Sequence, residues 1–136
     1  MFLTARFKAA LLLKASMAAF ILLFSSTVSA QSSNHYMRIA TIEIDSVYLE
    51  QYKAALREGI ETAVQTEPGV LVLNAVYAKD RPTLVTVFEI YASEEAYRQH
   101  IQTAHFKKYK ETVQHMVRSL VLKDVAPIAL ASKEKP

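Results

Sequence analysis

The first part of the hydrophobic pattern predicts a strand followed by a long helix. Residues 37–44 are rich in β-branched side chains, which is typical of a strand. From 47 to 65, apolar residues recur every three or four positions, so a helix there has one apolar face. Asp45 or Ser46 can cap its first turn, and the Glu-Pro-Gly sequence at 67–69 ends it.

A hairpin is predicted after the helix. Two apolar runs, at 70–78 and 83–91, are separated only by the turn-forming residues 79–82. Because this connection is too short for a crossover, we expect the two strands to pair in antiparallel order. Asn74 is the polar exception within the first run. A buried amide is costly without a hydrogen-bond partner, so Asn74 is either a donor in a pocket or an edge residue that faces water.

The last part of the pattern predicts a helix in two pieces and a final strand. Ser93 can cap the first piece, whose opening turn carries two glutamates where the helix dipole favours negative charge. The apolar spacing is interrupted at 103–104 and resumes at Phe106. A long apolar run at 119–130 predicts the final strand.

The predicted order of elements is β-α-β-β-α-β, which is the ferredoxin-like split βαβ arrangement of the α+β class. The helices would cover one face of a four-stranded antiparallel sheet. The strands carry apolar residues on the other face as well, and the chain after residue 30 offers no further element to cover that face. We therefore expect a homodimer in which two sheets face each other.

Residues 1–30 have the order of a secretory signal peptide. The basic residues Arg6, Lys8 and Lys14 come first, then an apolar segment, then small residues up to Ala30. The apolar segment is shorter than the ~20 residues of a membrane-spanning helix. We expect cleavage after Ala30, a periplasmic or secreted mature protein, and no stable membrane anchor after cleavage.

The basic character of the chain belongs to this leader. The sequence has 16 basic and 13 acidic residues, and three of the basic ones lie within 1–30, so 31–136 is neutral. Binding to phosphate backbones needs a basic surface, so nucleic acid is not an expected partner. Residues 31–36 are predicted to be disordered, 37–130 to form one domain, and 131–136 to be a flexible tail.

The block that joins the third strand to the broken helix has a specific pattern. Residues 89–97 read Glu-Ile-Tyr-Ala-Ser-Glu-Glu-Ala-Tyr, and residues 100–109 read His-Ile-Gln-Thr-Ala-His-Phe-Lys-Lys-Tyr. This combination resembles the antibiotic biosynthesis monooxygenase (ABM) domain and, within that family, the small quinol monooxygenases. The resemblance extends from 37 to 125, nearly the whole predicted domain.

This resemblance implies a dimeric α+β barrel with a pocket between helices and sheet in each subunit. Members of the family oxidise quinols, phenols or anthrones with O₂ and use no flavin, haem or metal. We therefore expect a small aromatic substrate, O₂ as co-substrate and no cofactor. The sequence is consistent with this expectation, because it has no cysteine, only two glycines and no His-Glu-x-x-His motif.

Chemistry of this kind needs a base that deprotonates the substrate, and His is the natural base near neutral pH. His100 and His105 are the candidate catalytic residues. On one continuous helix they would be about 140° apart, so they share a pocket only if the helix breaks between them. No metal ligand is expected. The candidate substrate-binding residues are Asn74, Tyr91, Tyr97 and Phe106.

Haem degradation, which some relatives perform, is disfavoured. Those relatives carry an iron-ligating His where this sequence has Lys110, an Asn where it has Glu43, and a Trp where it has Tyr91. Two alternatives to a monooxygenase stay open: a non-catalytic exported binding module for small aromatic ligands, and an isomerase on the same fold. A fold alone does not assign chemistry.

Overall fold

The computed structural model describes residues 34–133. The predicted signal peptide therefore lies outside the described residues. Within them the elements follow in this order: strand β1 (Tyr36–Ile44), a 3₁₀ turn (Ser46–Tyr48), helix α1 (Leu49–Thr66), strands β2 (Val70–Tyr77) and β3 (Leu84–Tyr91), helices α2 (Glu94–His100) and α3 (Ala104–Val113), and strand β4 (Val117–Val125).

The four strands form one antiparallel sheet in the order β2-β3-β1-β4. This is the ferredoxin-like α+β arrangement that the sequence predicts. In the register, Arg38 pairs with Glu89, and Ala40 pairs with Val87 on one side and Leu122 on the other. Side chains of paired residues share a face of the sheet. All five belong to the face that packs against the helices.

Local capping decides where the helices begin. The Asp45 carboxylate accepts a hydrogen bond from the Val47 N–H at 3.1 Å, so a 3₁₀ turn precedes α1, which starts at Leu49. The Ser93 hydroxyl accepts one from the Ala96 N–H at 3.1 Å and begins α2. Both caps satisfy N–H groups that have no partner within the helix.

The second helical segment is broken, as the interrupted pattern predicts, and Thr103 causes the break. Its hydroxyl donates to the carbonyl of His100 at 2.7 Å and accepts from the Phe106 N–H at 3.3 Å. Thr103 thus closes the end of α2 and caps α3. As a result, His100 ends one helix and His105 begins the next.

The main core lies between the sheet and the helices α1 and α3, and a smaller cluster lies near α2. No helix among residues 34–133 is both long and apolar enough to cross a membrane. The buried residues of the main cluster are Ala40, Ile42, Ile44, Tyr52, Val85, Val87, Val113 and Met116. Those of the smaller cluster are Ala63, Val70 and Tyr91.

The opposite face of the sheet, which we call the outer face, is also largely apolar. Its side chains include Ile39, Phe88, Val76 and Val121, and the last two are 64% and 49% exposed. Strand β4 ends at Val125, earlier than the predicted 119–130 run suggests. The reason is the register, because Val125 pairs with Met37 near the start of β1, and Pro127 lacks the N–H that pairing needs.

Candidate functional site

A cavity of about 380 Å³ lies between the sheet and the helices. Its walls come from all four strands and all three α-helices of the described chain. Its size is at the lower end of the range for small-molecule sites, which are typically apolar with a few convergent polar groups. This cavity has that character, and its charged or ionisable groups, apart from tyrosines, are Arg38, Glu89, His100, His105 and Lys110.

Five of the six residues predicted for the site line this cavity, so the structure brings most of them together. Their rings form a continuous aromatic wall. Ring centroids are 4.9 Å apart for His100 and Phe106, 5.5 Å for His100 and Tyr91, and 5.3 Å for Tyr91 and Tyr97. His105 lies next to this wall, 6.3 Å from the His100 ring. Such a wall suits a flat aromatic ligand.

The structure does not bring Asn74 to the cavity. Asn74 is exposed on the edge strand β2 and pairs with Phe88, whereas its neighbour Leu73 lines the cavity and pairs with Glu89. Because neighbours along a strand point to opposite faces, Asn74 lies on the outer face. Asn74 is thus an edge residue that faces water, which is the second of the two placements predicted from the sequence.

Glu67, the residue after α1, joins the two histidines. Its Oε1 atom lies 2.8 Å from His100 Nδ1 and 2.5 Å from His105 Nε2. An ionised carboxylate can only accept hydrogen bonds, so each ring directs an N–H at it. In a neutral His100 this leaves the other ring nitrogen, Nε2, with a free lone pair. Nε2 is therefore the nitrogen that His100 can offer to a ligand in the cavity.

These three side chains are held in place with little access to water. Glu67 precedes Pro68, which restricts it to extended backbone and ends α1 (φ −107°, ψ 109°). The side chains of Glu67, His100 and His105 are 13%, 7% and 25% exposed. Charge-assisted hydrogen bonds are stronger in such a setting than in water. The three donor atoms also lie within 4.8 Å of one another, so this is the group of described residues that could hold a metal ion.

A second carboxyl group, Glu89, stands in the cavity wall on β3. The Tyr91 hydroxyl donates to its Oε2 at 2.9 Å. Burial raises the pKa of Glu89, while the Tyr91 hydrogen bond and the charges of Arg38 and His100 oppose that rise. Carboxyl groups with raised pKa values in a cavity are candidates for proton transfer.

Arg38 brings a positive charge to the same end of the cavity. Its guanidinium lies 4.5 Å from the centre of the Tyr97 ring, and its Nε is 3.0 Å from Asp124 Oδ1. The Arg38 side chain is only 12% exposed. Held by an aromatic ring and an ion pair, this cation can orient a polar group on a bound ligand.

Sequence reasoning missed Glu67, Glu89 and Arg38. A signal for Glu89 was present, because it shares the alternation of Val85, Val87 and Tyr91 and is therefore a charged residue on an inward face. Glu67 had no comparable signal. It is 33 and 38 residues from its two histidine partners, and it looked like a simple helix-ending residue.

The fold and the cavity define a ferredoxin-like α+β protein with a small-molecule site. Residues 35–112 match the family model of the antibiotic biosynthesis monooxygenases, ABM. Since this match spans more than half of the chain, the protein belongs to the ABM family, as its sequence pattern suggests. A comparison with curated proteins found no match.

Solved structures agree with this family membership. A protein from Bacteroides thetaiotaomicron, assigned as an antibiotic biosynthesis monooxygenase, is 51% identical over 75% of this chain and 97% of its own, with a TM-score of 0.71. An assigned monooxygenase from Lactobacillus acidophilus is 30% identical over 69% of this chain and 45% of its own, with a TM-score of 0.68. A Nitrosomonas europaea protein shares the fold at 22% identity, covering 71% of this chain and 92% of its own, with a TM-score of 0.66.

Proposed function

We propose that this protein is a cofactor-independent monooxygenase that oxidises a quinol or a related polyphenol with O₂. Membership of the ABM family supports monooxygenase-type chemistry on a small molecule. The observation that carries the finer proposal is the hydrogen bond from His100 to Glu67 at the wall of an aromatic cavity. This pair supplies a base, and the cavity supplies a largely apolar place for an aromatic ring.

The reaction begins with proton transfer. His100 Nε2 accepts the phenolic proton of the bound quinol, and the Glu67 carboxylate stabilises the imidazolium that forms. The resulting quinolate is electron-rich enough to donate an electron to O₂. Overall, one quinol and one O₂ give one hydroxyquinone and one water. The substrate loses four electrons and O₂ gains four, with one oxygen atom entering the ring and the other leaving as water.

The aromatic wall and Arg38 position the substrate. The rings of Tyr91, Tyr97 and Phe106 offer flat contact to a quinol, and the Arg38 guanidinium can donate a hydrogen bond to an oxygen on the quinol ring. Excluding water from the cavity protects the reactive quinolate from side reactions.

Oxygen uptake tests the proposal. Protein treated with chelator and dialysed is mixed with a panel of hydroquinones, with no cofactor added, and O₂ consumption and hydroxyquinone formation are recorded. Turnover supports the proposal. Saturable binding of the hydroquinones without O₂ consumption would instead indicate a binding module, and conversion of a substrate without O₂ consumption would indicate an isomerase.

The role of His100 is tested in the same assay. His100→Ala is expected to lower turnover by ~10²-fold or more, the usual size of a lost general base. The control is His115→Ala, because His115 is exposed after α3, outside the cavity. Full turnover in His100→Ala, with the fold retained by circular dichroism, would assign the base to another group.

We further propose that the protein is exported and cleaved after Ala30. The support is the charged, apolar and small-residue order of residues 1–30. The intact mass of protein isolated from the cell envelope or the medium is expected to lack residues 1–30. A mass that retains them would refute cleavage.

A further inference from the structure

We propose that Glu67, His100 and His105 form a binding site for a divalent transition-metal ion, and that a bound ion prevents His100 from acting as the base. The metal site does not depend on the proposed function. The effect on turnover does rest on it, so the two parts are tested separately.

The geometry brings three suitable donors to one point. They come from the end of α1, the end of α2 and the first turn of α3, and their ligand atoms lie within 4.8 Å of one another. His100 Nδ1 and His105 Nε2 both face Glu67 Oε1, at 2.8 and 2.5 Å. An ion that binds here takes the place of the two shared protons and separates the nitrogens slightly from the oxygen.

The donor types indicate the class of ion. Two imidazole nitrogens and one carboxylate oxygen suit Zn²⁺, Fe²⁺, Ni²⁺ or Cu²⁺, whereas Mg²⁺ and Ca²⁺ prefer oxygen ligands alone. Three protein ligands leave a four-coordinate ion one further position, which a water molecule can take. Thr103 bonds to the backbone at the end of α2 and in the first turn of α3, so it holds the two segments that carry the histidines next to each other.

Metal binding reverses the tautomer of His100. Without metal, Nδ1 carries the proton that is donated to Glu67, and Nε2 has the lone pair that can accept a proton from a substrate. A metal bound at Nδ1 needs the lone pair of that nitrogen, so in a neutral ring the proton moves to Nε2. Nε2 then becomes a donor. The same three residues therefore support either a base or a metal site, but not both at once.

Zn²⁺ titration by calorimetry tests the site, with zinc chloride as the only ligand and the full chain purified without a histidine tag. One ion per chain is expected. Removing an outer-sphere partner of a metal typically costs 10–100-fold in affinity. Losing a ligand in Glu67→Gln or His105→Ala should therefore weaken Zn²⁺ binding by about 100-fold or more. His115→Ala is the matched control and should bind like the wild type.

Thermal unfolding of each variant without Zn²⁺ checks that the variant is folded. With Zn²⁺, the Tm should rise in the wild type and in His115→Ala, but not in Glu67→Gln or His105→Ala. Absence of wild-type binding, or binding that the Glu67→Gln and His105→Ala variants retain, would overturn the metal site and leave a purely hydrogen-bonded cluster.

The switch is tested by turnover of the metal-free protein with a hydroquinone. Zn²⁺ should suppress O₂ uptake in the concentration range in which it binds, and a chelator should restore it. An active enzyme that binds Zn²⁺ and keeps its turnover would overturn the switch. If Zn²⁺ binds but no hydroquinone is ever oxidised, the proposed function fails while the metal site stands.

Discussion

Glu89 is a cavity residue whose negative charge opposes folding. It is a carboxyl group on an inward-facing position of β3, and burial raises its pKa, so its ionised form is less stable there than in water. The Tyr91 hydroxyl and the charge of Arg38 offset only part of this cost. Residues that oppose stability in a cavity are often retained for function.

Glu89→Gln is therefore expected to raise the thermal stability at pH 7 by a few degrees in Tm. Glutamine has nearly the same shape, carries no charge and still accepts the hydrogen bond from Tyr91. Tyr91→Phe is the informative comparison, because it removes the donor and leaves the carboxyl group buried, which should lower Tm. Differential scanning calorimetry measures both, and a lower Tm for Glu89→Gln would show that its charge stabilises the fold.

At the scale of elements, the packing around the two glycines of the described chain differs, so alanine substitutions at them are expected to have opposite effects on stability. A Cβ atom at Gly69, before β2, would lie 2.6 Å from the Cβ of Ala96 in α2. A Cβ atom at Gly59, within α1, would lie 3.7 Å from the Tyr109 ring, which is ordinary contact. Only the approach of β2 to α2 therefore requires glycine.

Gly59→Ala is expected to stabilise the protein by ~0.5–1 kcal/mol, because alanine loses less backbone entropy in a helix than glycine. Gly69→Ala is expected to destabilise it, since Ala96 or α2 must shift. Urea unfolding of the two variants against the wild type gives both free energies. Equal effects of the two substitutions would contradict the close packing of α2 on the start of β2.

Helices α1 and α3 meet at a pair of phenols, of which Tyr52 is buried and Tyr109 is half-buried. The hydroxyls of Tyr52 and Tyr109 are 3.0 Å apart, and burial raises the pKa of both. The folded protein thus keeps these protons at a pH at which the unfolded chain, with phenol pKa values near ~10, has lost them. Their contribution is fully present below pH ~10, and stability falls as the pH rises past that value.

Tyr52→Phe should reduce this loss of stability at alkaline pH. The free energy of unfolding is measured in urea at pH 8 and near pH 11, and the difference is expected to be smaller in the variant than in the wild type. Tyr77→Phe is the control, because Tyr77 is 50% exposed, and it should behave like the wild type. A loss as steep in Tyr52→Phe as in the wild type would contradict the argument.

At the scale of the whole molecule, the outer face of the sheet leads to the proposal of a homodimer. Val76 and Val121 lie on it, 64% and 49% exposed, in one row with Thr86 and Thr41. An apolar sheet face is stable in water when a second layer covers it. In the proposed homodimer, a second copy of the chain, sheet against sheet, would provide that layer.

Light scattering at low micromolar concentration should report twice the mass of one chain. Val121→Lys places a charge on the outer face and is expected to shift the protein toward the monomer. The control is Val47→Lys, because Val47 is 76% exposed in the 3₁₀ turn and lies outside the strands of the sheet. A monomeric wild type, or a dimer unaffected by Val121→Lys, would refute this interface.

Much of the fold was readable from the sequence because its determinants are local. Strand and helix periods, the caps at Asp45 and Ser93, and the break at Thr103 depend on residues within a few positions of one another. These features yielded the β-α-β-β-α-β order. Together with the family resemblance, they also led to six predicted site residues, five of which line the cavity.

What only the tertiary structure decided is which distant groups meet. The contacts of Glu67 with His100 and His105 depend on how the ends of three helices pack, and no local preference encodes a distance across 33 or 38 residues. The face on which Asn74 lies depends on strand register, since a shift of one residue exchanges the two faces of a strand. The sequence by itself determined the elements and the candidate base. The packing of those elements placed Glu67 against His100 Nδ1, the contact on which the proposed role of His100 as a base depends.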